Sequence, residues 1–196
     1  MKQLRGVIFD LDGTLVSSSL DFPAIKREIG CPVDADVLTF LETLSPQQRH
    51  AAQAVIHRHE LQDAQGCDWI PGARAFVETC LQQRIPMAIV TRNSHQSSQL
   101  KIERNAIPIE RVITRENSRP KPDPSALLEV ARDFALPPHA VLMVGDYRYD
   151  LEAGRNANMK SCLVNYTTLP DYSHLADYAF PNFQSLHAAM FGEPSL

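Results

Sequence analysis

The segment from Gly6 to Leu15, with the sequence GVIFDLDGTL, constrains the fold of this chain most strongly. Its apolar part, Val7-Ile8-Phe9, is typical of a short strand that is buried on both faces of a parallel sheet. Asp10 and Asp12 follow one residue apart, and Gly13 then permits a sharp turn that exposes backbone N–H groups. Because open α/β sheets bind ligands at the carboxyl ends of their strands, the segment predicts a polar site there.

Two carboxylates beside exposed N–H groups suit a divalent metal ion together with a phosphate group. Mg2+ takes oxygen ligands and is usually held by one or two carboxylates and by substrate phosphate oxygens. One carboxylate can then attack phosphorus, while the second gives a proton to the leaving alcohol. Taken alone, an Asp-x-Asp-Gly turn is explained equally well as an acidic turn that caps a helix, because acidic turns are common.

The composition favours a soluble enzyme-sized domain and argues against several partners. The chain has 196 residues and a formal net charge of -4, so it allows one core domain with an insertion, and its charge favours neither nucleic acid nor an anionic membrane. The four cysteines form no Cys-x-x-Cys pair, which argues against a zinc or redox site. The first residues lead into the predicted strand and not into a signal-peptide apolar region, so a cytoplasmic location is expected.

After Leu15 the pattern becomes helical, which indicates an insertion behind the first strand. We assign residues 17–69 to a small helical cap domain, and residues 1–16 and 70–196 to the core domain. Helices are expected in the cap over residues 22–29, 32–44 and 47–65. The third of them carries one apolar stripe, formed by Ala51, Ala52, Val55, Ile56 and His59.

Three histidines in the third cap helix raise the question of a metal site. His50, His57 and His59 are separated by seven and two residues, and these separations do not give the i, i+4 pair with which a helix holds a metal ion. Solvent-facing or cap-facing positions are therefore expected. His59 and Lys26 are kept as candidates for contacting a substrate from the cap.

From residue 73 onward, predicted helices and strands alternate. Strands are expected over residues 87–90, 111–114, 140–144, 161–164 and 178–180, and helices over residues 73–83, 96–105, 124–134, 151–157 and 183–190. Such alternation indicates βαβ units. The predicted fold class is therefore α/β, a parallel sheet with helices on both faces and the helical segment inserted after the first strand.

Several predicted strands end at polar residues that suit one chemistry. Because the carboxyl ends of parallel strands share an edge, Asp10, Asp12, Thr91 and Asp146 are expected in one crevice. Thr91 offers a hydroxyl and a following run of backbone N–H groups for a phosphate oxygen. Considered alone, Thr91 is explained as well by a helix N-cap.

Lys121 lies in the stiff segment Arg119-Pro120-Lys121-Pro122-Asp123-Pro124, where alternating prolines fix the position of one cation. A fixed ammonium group can neutralise phosphate charge, although a lone lysine in a surface loop is commonly just solvated. Asp150 follows Asp146 by four residues, so a helix there would place both on one face. Asp146 is expected to bind the metal, and Asp150 to hold a metal-bound water or to brace Lys121.

In these motifs the chain resembles the haloacid dehalogenase superfamily (HAD), in its phosphatase branch with a helical cap. The segment Asp10–Leu15 resembles the first motif and Thr91 the second. Lys121 with its prolines resembles the third motif, and Gly145 through Asp150 the fourth, so the resemblance covers the chain in the expected order. The cap position and the Pro-Lys-Pro-Asp-Pro run point to the phosphoglycolate phosphatase-like enzymes, although this insertion is shorter than in many relatives.

The resemblance implies a Rossmann-like core, dependence on Mg2+ and an aspartyl-phosphate intermediate. By the same resemblance, Asp10 is the nucleophile and a metal ligand, Asp12 is the general acid/base and a ligand through its carbonyl, and Asp146 completes the metal site. The residues expected to bind the phosphoryl group or substrate are Leu11, Gly13, Thr91, Arg92, Asn93 and Lys121.

These observations together predict a Mg2+-dependent phosphatase for a small phosphomonoester, such as a phosphoglycolate-like compound or a sugar phosphate. A phosphomutase would share every core residue. A haloacid dehalogenase would leave Asp12 and Asp146 as idle charges beside the nucleophile, and a non-catalytic binding protein would have no need for so much negative charge in one crevice. The oligomeric state stays open.

Overall fold

Strands and helices alternate along the computed structural model, which describes residue 1 and residues 4–192. The strands are β1 (Gly6–Phe9), β2 (Met87–Val90), β3 (Arg111–Ile113), β4 (Val141–Gly145), β5 (Lys160–Leu163) and β6 (Tyr178–Ala179). The α-helices are α1 (Phe22–Ile29), α2 (Val37–Glu42), α3 (Pro46–Ala64), α4 (Ala73–Gln82), α5 (His95–Arg104), α6 (Ser125–Asp133), α7 (Arg148–Asn156) and α8 (Phe183–Phe191). Short 3-10 helices cover Pro138–Ala140 and Asp171–Leu175.

The six strands form one parallel sheet in the order β3-β2-β1-β4-β5-β6. The first strand is central, with Phe9 opposite Ile89 of β2 on one side and Val144 of β4 on the other. The chain therefore leaves β1, β2 and β4 at the same edge of the sheet, side by side. This architecture confirms the predicted parallel α/β fold.

Apolar side chains cover both faces of the sheet, as the uninterrupted apolar strands predicted. On one face Phe9 packs against Phe76 of α4 and Phe183 of α8, with ring centroids 6.0 and 6.5 Å away. On the other face Ile8 of β1 belongs to a second buried cluster that includes Leu127 of α6. The strand ends are thereby held between two packed layers.

Helices α1 to α3 form the insertion between β1 and α4, around a small apolar cluster of their own that includes Ile25, Leu41 and Ile56. Two adjacent segments join the insertion to the rest of the chain. Val16 forms an antiparallel bridge with Trp69, and the backbone N–H of Ser17 donates to the Asp68 carbonyl oxygen at 2.8 Å.

Two helices begin three or more residues away from the predicted start. Helix α2 starts at Val37 and not at residue 32, because the Asp36 side chain accepts a hydrogen bond from the Thr39 N–H and caps the helix there. Helix α7 starts at Arg148 and not at residue 151, because the Asp150 carboxylate accepts a hydrogen bond from the Tyr147 N–H.

The predicted stripe on the third cap helix is wrong in part. Ala52 and Ile56 are buried as expected, whereas Ala51 is exposed. The face turned towards the core also buries Glu60 and Asp63, two charged residues that the apolar pattern assigns to solvent.

Within the described residues, no helix combines the length and the apolar character that crossing a bilayer would require. The four cysteines are buried free thiols.

Candidate active site

Three carboxylates converge where β1 and β4 end. Asp10 directly follows β1, Asp146 directly follows β4, and Asp150 lies in the first turn of α7. One carboxylate oxygen from each residue lies within 4.8 Å of the others. The parallel pairing of β1 with β4 produces this arrangement, since it brings the two strand ends together.

Lys121 is the cation among these carboxylates. Its Nζ lies 2.7 Å from Asp10 Oδ1 and 2.7 Å from Asp150 Oδ1, and it donates to the Val90 carbonyl oxygen at 2.6 Å. Burial would lower the pKa of Lys121, but the charges of Asp10 and Asp150 raise it above its usual value. The ammonium group therefore stays charged, and three carboxylates share one positive charge.

The donor set fits a hard divalent cation. Burial, and then repulsion by Asp150 and Asp10, raises the pKa of Asp146 well above its usual value. Burial likewise raises the pKa of Asp150 to about 6. Clustered carboxylate oxygens that carry more negative charge than Lys121 compensates are the ligands that Mg2+ prefers.

The turn after β1 is shaped to let Asp146 approach. Gly13 has φ +72°, and a Cβ at this position would lie 2.4 Å from Asp146 Oδ2. The Thr14 hydroxyl donates to Asp146 Oδ1 at 2.8 Å, and the Tyr172 hydroxyl donates to the Asp146 backbone carbonyl oxygen at 3.1 Å. Asp146 is thus fixed from two sides, and only a glycine fits opposite it.

Asp12 has separate partners. Its Oδ2 accepts a hydrogen bond from Asn93 Nδ2 at 2.8 Å, and its Oδ1 lies 2.5 Å from Lys101 Nζ. Burial raises the pKa of Asp12 to about 6, although Lys101 and Asn93 oppose the shift. A carboxyl group with this pKa can hold and release a proton near neutral pH.

Sequence reasoning missed Lys101, which lies in α5 and is fully buried. Its Nζ also lies 2.6 Å from Asp63 Oδ2, in the last turn of α3. The sequence feature that could have identified Lys101 is a helical spacing of three, four and seven residues, counted from Ser94. It places Ser94, Ser97, Ser98 and Lys101 on one face, and all four are buried.

The remaining predicted substrate residues lie in the segments that follow β1 and β2. Thr91 follows β2 and is buried, and its hydroxyl accepts a hydrogen bond from the Asn93 N–H at 3.2 Å. The Leu11 side chain lies in the apolar core, so only its backbone is available to a ligand.

Arg92 lies between the core and the inserted helices. Its guanidinium donates to the Lys121 carbonyl oxygen at 2.7 Å and to Asp36 Oδ2 at 2.6 Å, and it lies 4.2 Å from the Tyr149 ring centroid. Asp36 caps α2, so Arg92 connects the lysine segment to the insertion.

The structure does not bring the two cap candidates to the carboxylates. His59 Nε2 lies 2.9 Å from Glu28 Oε2, and Lys26 Nζ donates to the Val33 carbonyl oxygen at 2.6 Å. These described partners belong to the insertion itself. In this structure both side chains serve contacts within the cap, and a contact of either one with a substrate stays a prediction.

Known proteins share this sequence pattern and fold. The family model of the haloacid dehalogenase-like hydrolases matches residues 7–164. An uncharacterized hydrolase of Saccharomyces cerevisiae is 30% identical over 95% of this chain and 90% of its own length. The N-acetylmuramic acid 6-phosphate phosphatase of Pseudomonas aeruginosa is 28% identical over 84% of this chain and 83% of its own.

A phosphoglycolate phosphatase of Chromobacterium violaceum is 24% identical over 85% of this chain and 87% of its own length. The crystal structure of a hydrolase from Pseudomonas syringae superposes with a TM-score of 0.82 at 18% identity, covering 98% of this chain and 100% of that one, which shows a shared fold. The family match spans the first strand, the inserted helices and the carboxylates after β1 and β4. The chain therefore belongs to the haloacid dehalogenase-like hydrolase family.

Proposed function

We propose that this protein is a Mg2+-dependent phosphatase that hydrolyses a small phosphomonoester through an aspartyl-phosphate on Asp10. The observation that carries the proposal is the position of Lys121, whose ammonium group lies 2.7 Å from both Asp10 and Asp150, beside Asp146. We further propose that residues 17–69 form the cap over this site and that residues 1–16 and 70–196 form the core domain.

In the first step an oxygen of the Asp10 carboxylate forms a bond to phosphorus while the bond from phosphorus to the leaving oxygen breaks. Asp12 gives its proton to that oxygen, so the product leaves as a neutral alcohol. The surroundings of Asp10 and Asp12 support these two roles. The Asp10 carboxylate lies 2.7 Å from the Lys121 ammonium, whereas the raised pKa of Asp12 suits a proton donor.

In the second step a water molecule attacks phosphorus and gives a proton to Asp12, and the Asp10 carboxylate is released with inorganic phosphate. Asp10, Asp146 and the Asp12 carbonyl oxygen would hold Mg2+, which supplies positive charge next to the phosphoryl oxygens when it is bound. Asp150 keeps the Lys121 ammonium in place through its 2.7 Å contact.

We assign the phosphoryl-binding role to Thr91, Lys121 and the backbone N–H of Leu11. Gly13 shapes the turn beside them, since its own N–H donates to the Val16 carbonyl oxygen at 2.8 Å. Parallel pairing supports this assignment, because the segments that follow β1 and β2 are neighbours. Arg92 and Asn93 lie immediately after Thr91, and we assign them to the leaving-group side of the substrate.

We propose a small phosphorylated metabolite as the substrate. Two of the relatives described above are named for such substrates, a phosphorylated amino sugar and phosphoglycolate. The crevice offers the cations Lys121 and Arg92 for anionic groups, in agreement with a compact phosphate ester such as a sugar phosphate or a phosphoglycolate-like compound.

Phosphate release from a panel of small phosphate esters tests the proposal. It is measured with Mg2+ and with chelator, for the native protein, for Asp10→Asn and for the control Asp34→Asn, which changes an exposed aspartate of the insertion. We expect turnover that requires Mg2+, persists in the control and disappears in Asp10→Asn. Full turnover in Asp10→Asn, or no turnover of any ester by the folded native protein with Mg2+, would overturn the proposal.

A further inference from the structure

A chain of charged contacts runs from Asp12 into the inserted helices. Lys101 Nζ lies 2.5 Å from Asp12 Oδ1 and 2.6 Å from Asp63 Oδ2. Lys101 belongs to α5 of the core and Asp63 to α3 of the insertion, so the ammonium group lies at the junction of the two. Nothing in the proposed two-step reaction uses this lysine.

Asp63 is itself held firmly, so it can serve as an anchor. Its Oδ1 accepts hydrogen bonds from the Ser19 backbone N–H at 2.6 Å and from the Ser19 hydroxyl at 2.9 Å. Its Oδ2 accepts a hydrogen bond from the Ser18 hydroxyl at 3.0 Å. Both serines lie in the segment that leads from the core into the insertion, and Asp63 lies close to the segment that returns. The position of Lys101 is thus defined by both connections.

Both oxygens of the Asp12 carboxyl group are held by the residues that follow β2. Asn93 holds Oδ2 from the turn before α5, and Lys101 holds Oδ1 from within α5. A general acid must present its proton to the leaving oxygen within hydrogen-bond reach, and a small misplacement of a catalytic group is costly. Two fixed partners restrict the carboxyl group to one orientation.

Stability alone is a weak reason for this arrangement. A buried ion pair contributes little net stability compared with apolar side chains of similar volume, because removing the charges from water is expensive. Lys101 has no exposed surface, and the Asp63 side chain is only 4% exposed. A fully buried lysine beside the proton donor is therefore better explained by its effect on that donor.

We propose that Lys101, anchored by Asp63 of the insertion, is a positioning residue that holds the Asp12 carboxyl group in the orientation from which it protonates the leaving group. This inference rests on the proposed function and on the acid role of Asp12 within it. The cap then contributes to catalysis, since Asp63 of the cap is the second contact of the Lys101 ammonium.

The test uses leaving groups of different quality. The variant is Lys101→Met, which keeps the length of the side chain and removes its charge. The substrates are p-nitrophenyl phosphate, whose leaving group departs without a proton, and the alkyl phosphate that the native enzyme hydrolyses best. We expect kcat/KM to fall about tenfold or more for the alkyl ester and less than about threefold for p-nitrophenyl phosphate. Inhibition by inorganic phosphate should stay unchanged, because the described contacts of Lys101 lie outside the phosphoryl-binding residues.

Companion variants make the result decisive. Asp63→Asn should produce the same leaving-group dependence with a smaller amplitude, and it provides the answer if Lys101→Met fails to fold. Lys160→Met, which removes an exposed lysine paired with Asp177, should leave kcat/KM unchanged for both substrates. Asp12→Asn should reproduce the pattern most strongly.

Three outcomes contradict the account, and they are distinguishable. An equal loss on both esters in Lys101→Met and Asp63→Asn, or no loss, overturns the positioning role while Asp12→Asn still shows the pattern. An equal loss on both esters in Asp12→Asn removes the acid role and this inference with it. Hydrolysis of neither ester by the native enzyme overturns the proposed function itself.

Discussion

Asp10 and Asp12 of this site contact different cations. Asp10 lies against Lys121, which it shares with Asp150, whereas Asp12 lies against Lys101. Two acids only two residues apart are thereby given separate environments. Such separation is the usual way in which one site obtains both a charged nucleophile and a proton donor.

Gly13 gives the most local test of the proposed metal site. Gly13→Ala and Gly30→Ala both place a Cβ at positive φ, +72° and +71°, but only the first meets Asp146, since nothing lies within 4 Å at Gly30. Both substitutions should cost stability of about 1–2 kcal/mol from the backbone alone. Only Gly13→Ala should raise the Mg2+ concentration for half-maximal activity, by about tenfold or more.

Titration of activity with Mg2+ in both variants, alongside thermal unfolding, makes this comparison. Equal Mg2+ dependence of Gly13→Ala and the native enzyme would show that the close approach to Asp146 is unimportant for metal binding.

At the level of elements, buried ion pairs fasten the inserted helices to the core. Glu60 of α3 forms a two-contact ion pair with Arg115, which follows β3, and also accepts a hydrogen bond from the Ser94 N–H at 3.3 Å. The Asp63 contact to Lys101 lies one turn further along the same helix. In the described structure α3 is thus attached to the core through charged groups as well as apolar ones.

Glu60→Ala should destabilise the protein by about 3–5 kcal/mol, because it leaves the Arg115 guanidinium without its buried partner. Glu28→Ala is the matched control. It removes a cap glutamate that pairs with Arg58 at the surface, with side chains 40% and 60% exposed, and should reduce stability far less, because surface ion pairs are screened by solvent. Urea unfolding measures the free energy of unfolding of the two variants. A similar loss of stability in both would contradict the role given to Glu60.

Sequence analysis predicted the site residues at the strand ends but missed the buried contacts of Glu60 and Lys101, and the reason is physical. Asp10, Thr91 and Asp146 follow apolar runs, and parallel pairing forces such residues to one edge whatever the loops do. Glu60 and Lys101 lie in helices rich in polar residues, where a charge is ordinarily solvated. Their burial depends on partners far away in the chain, which one helix pattern does not contain.

The start of a helix is likewise only partly determined by the local sequence. The Pro32 to Asp34 segment resembles a helix start, yet α2 begins only where Asp36 caps it. Both aspartates are good N-cap residues, and local preference does not distinguish them. The Asp36 contact to Arg92, 56 residues away, is a tertiary one and is absent from the local pattern.

For the whole molecule, we expect the charge of the site to make stability depend on pH and on Mg2+. Burial holds the pKa of Asp12 and of Asp150 at about 6, against an ordinary value of 3.8, and that of Asp146 is also raised. Between pH 3.8 and about pH 6, the native state therefore binds more protons than the unfolded state. Its free energy of unfolding therefore falls as the pH rises.

In chelator, we expect the free energy of unfolding to fall between about pH 5 and about pH 6.5, by about 1 kcal/mol for Asp12 alone. Mg2+ should oppose the fall, because it compensates the charge that appears. Asp150→Asn in chelator should show a shallower fall, since a group whose pKa of about 6 lies in this interval is gone. Urea unfolding at the two pH values measures the effect, and a stability that rises over this interval would contradict the charge distribution described here.

The central claim is that phosphoryl transfer passes through the Asp10 carboxylate. Borohydride added during turnover of p-nitrophenyl phosphate with Mg2+ reduces an acyl phosphate to an alcohol, and peptide mass spectrometry then identifies the residue that carried it. The account predicts that Asp10 is converted to homoserine while Asp12 stays intact. Steady turnover with Asp10 unmodified, or reduction at Asp12, would contradict it.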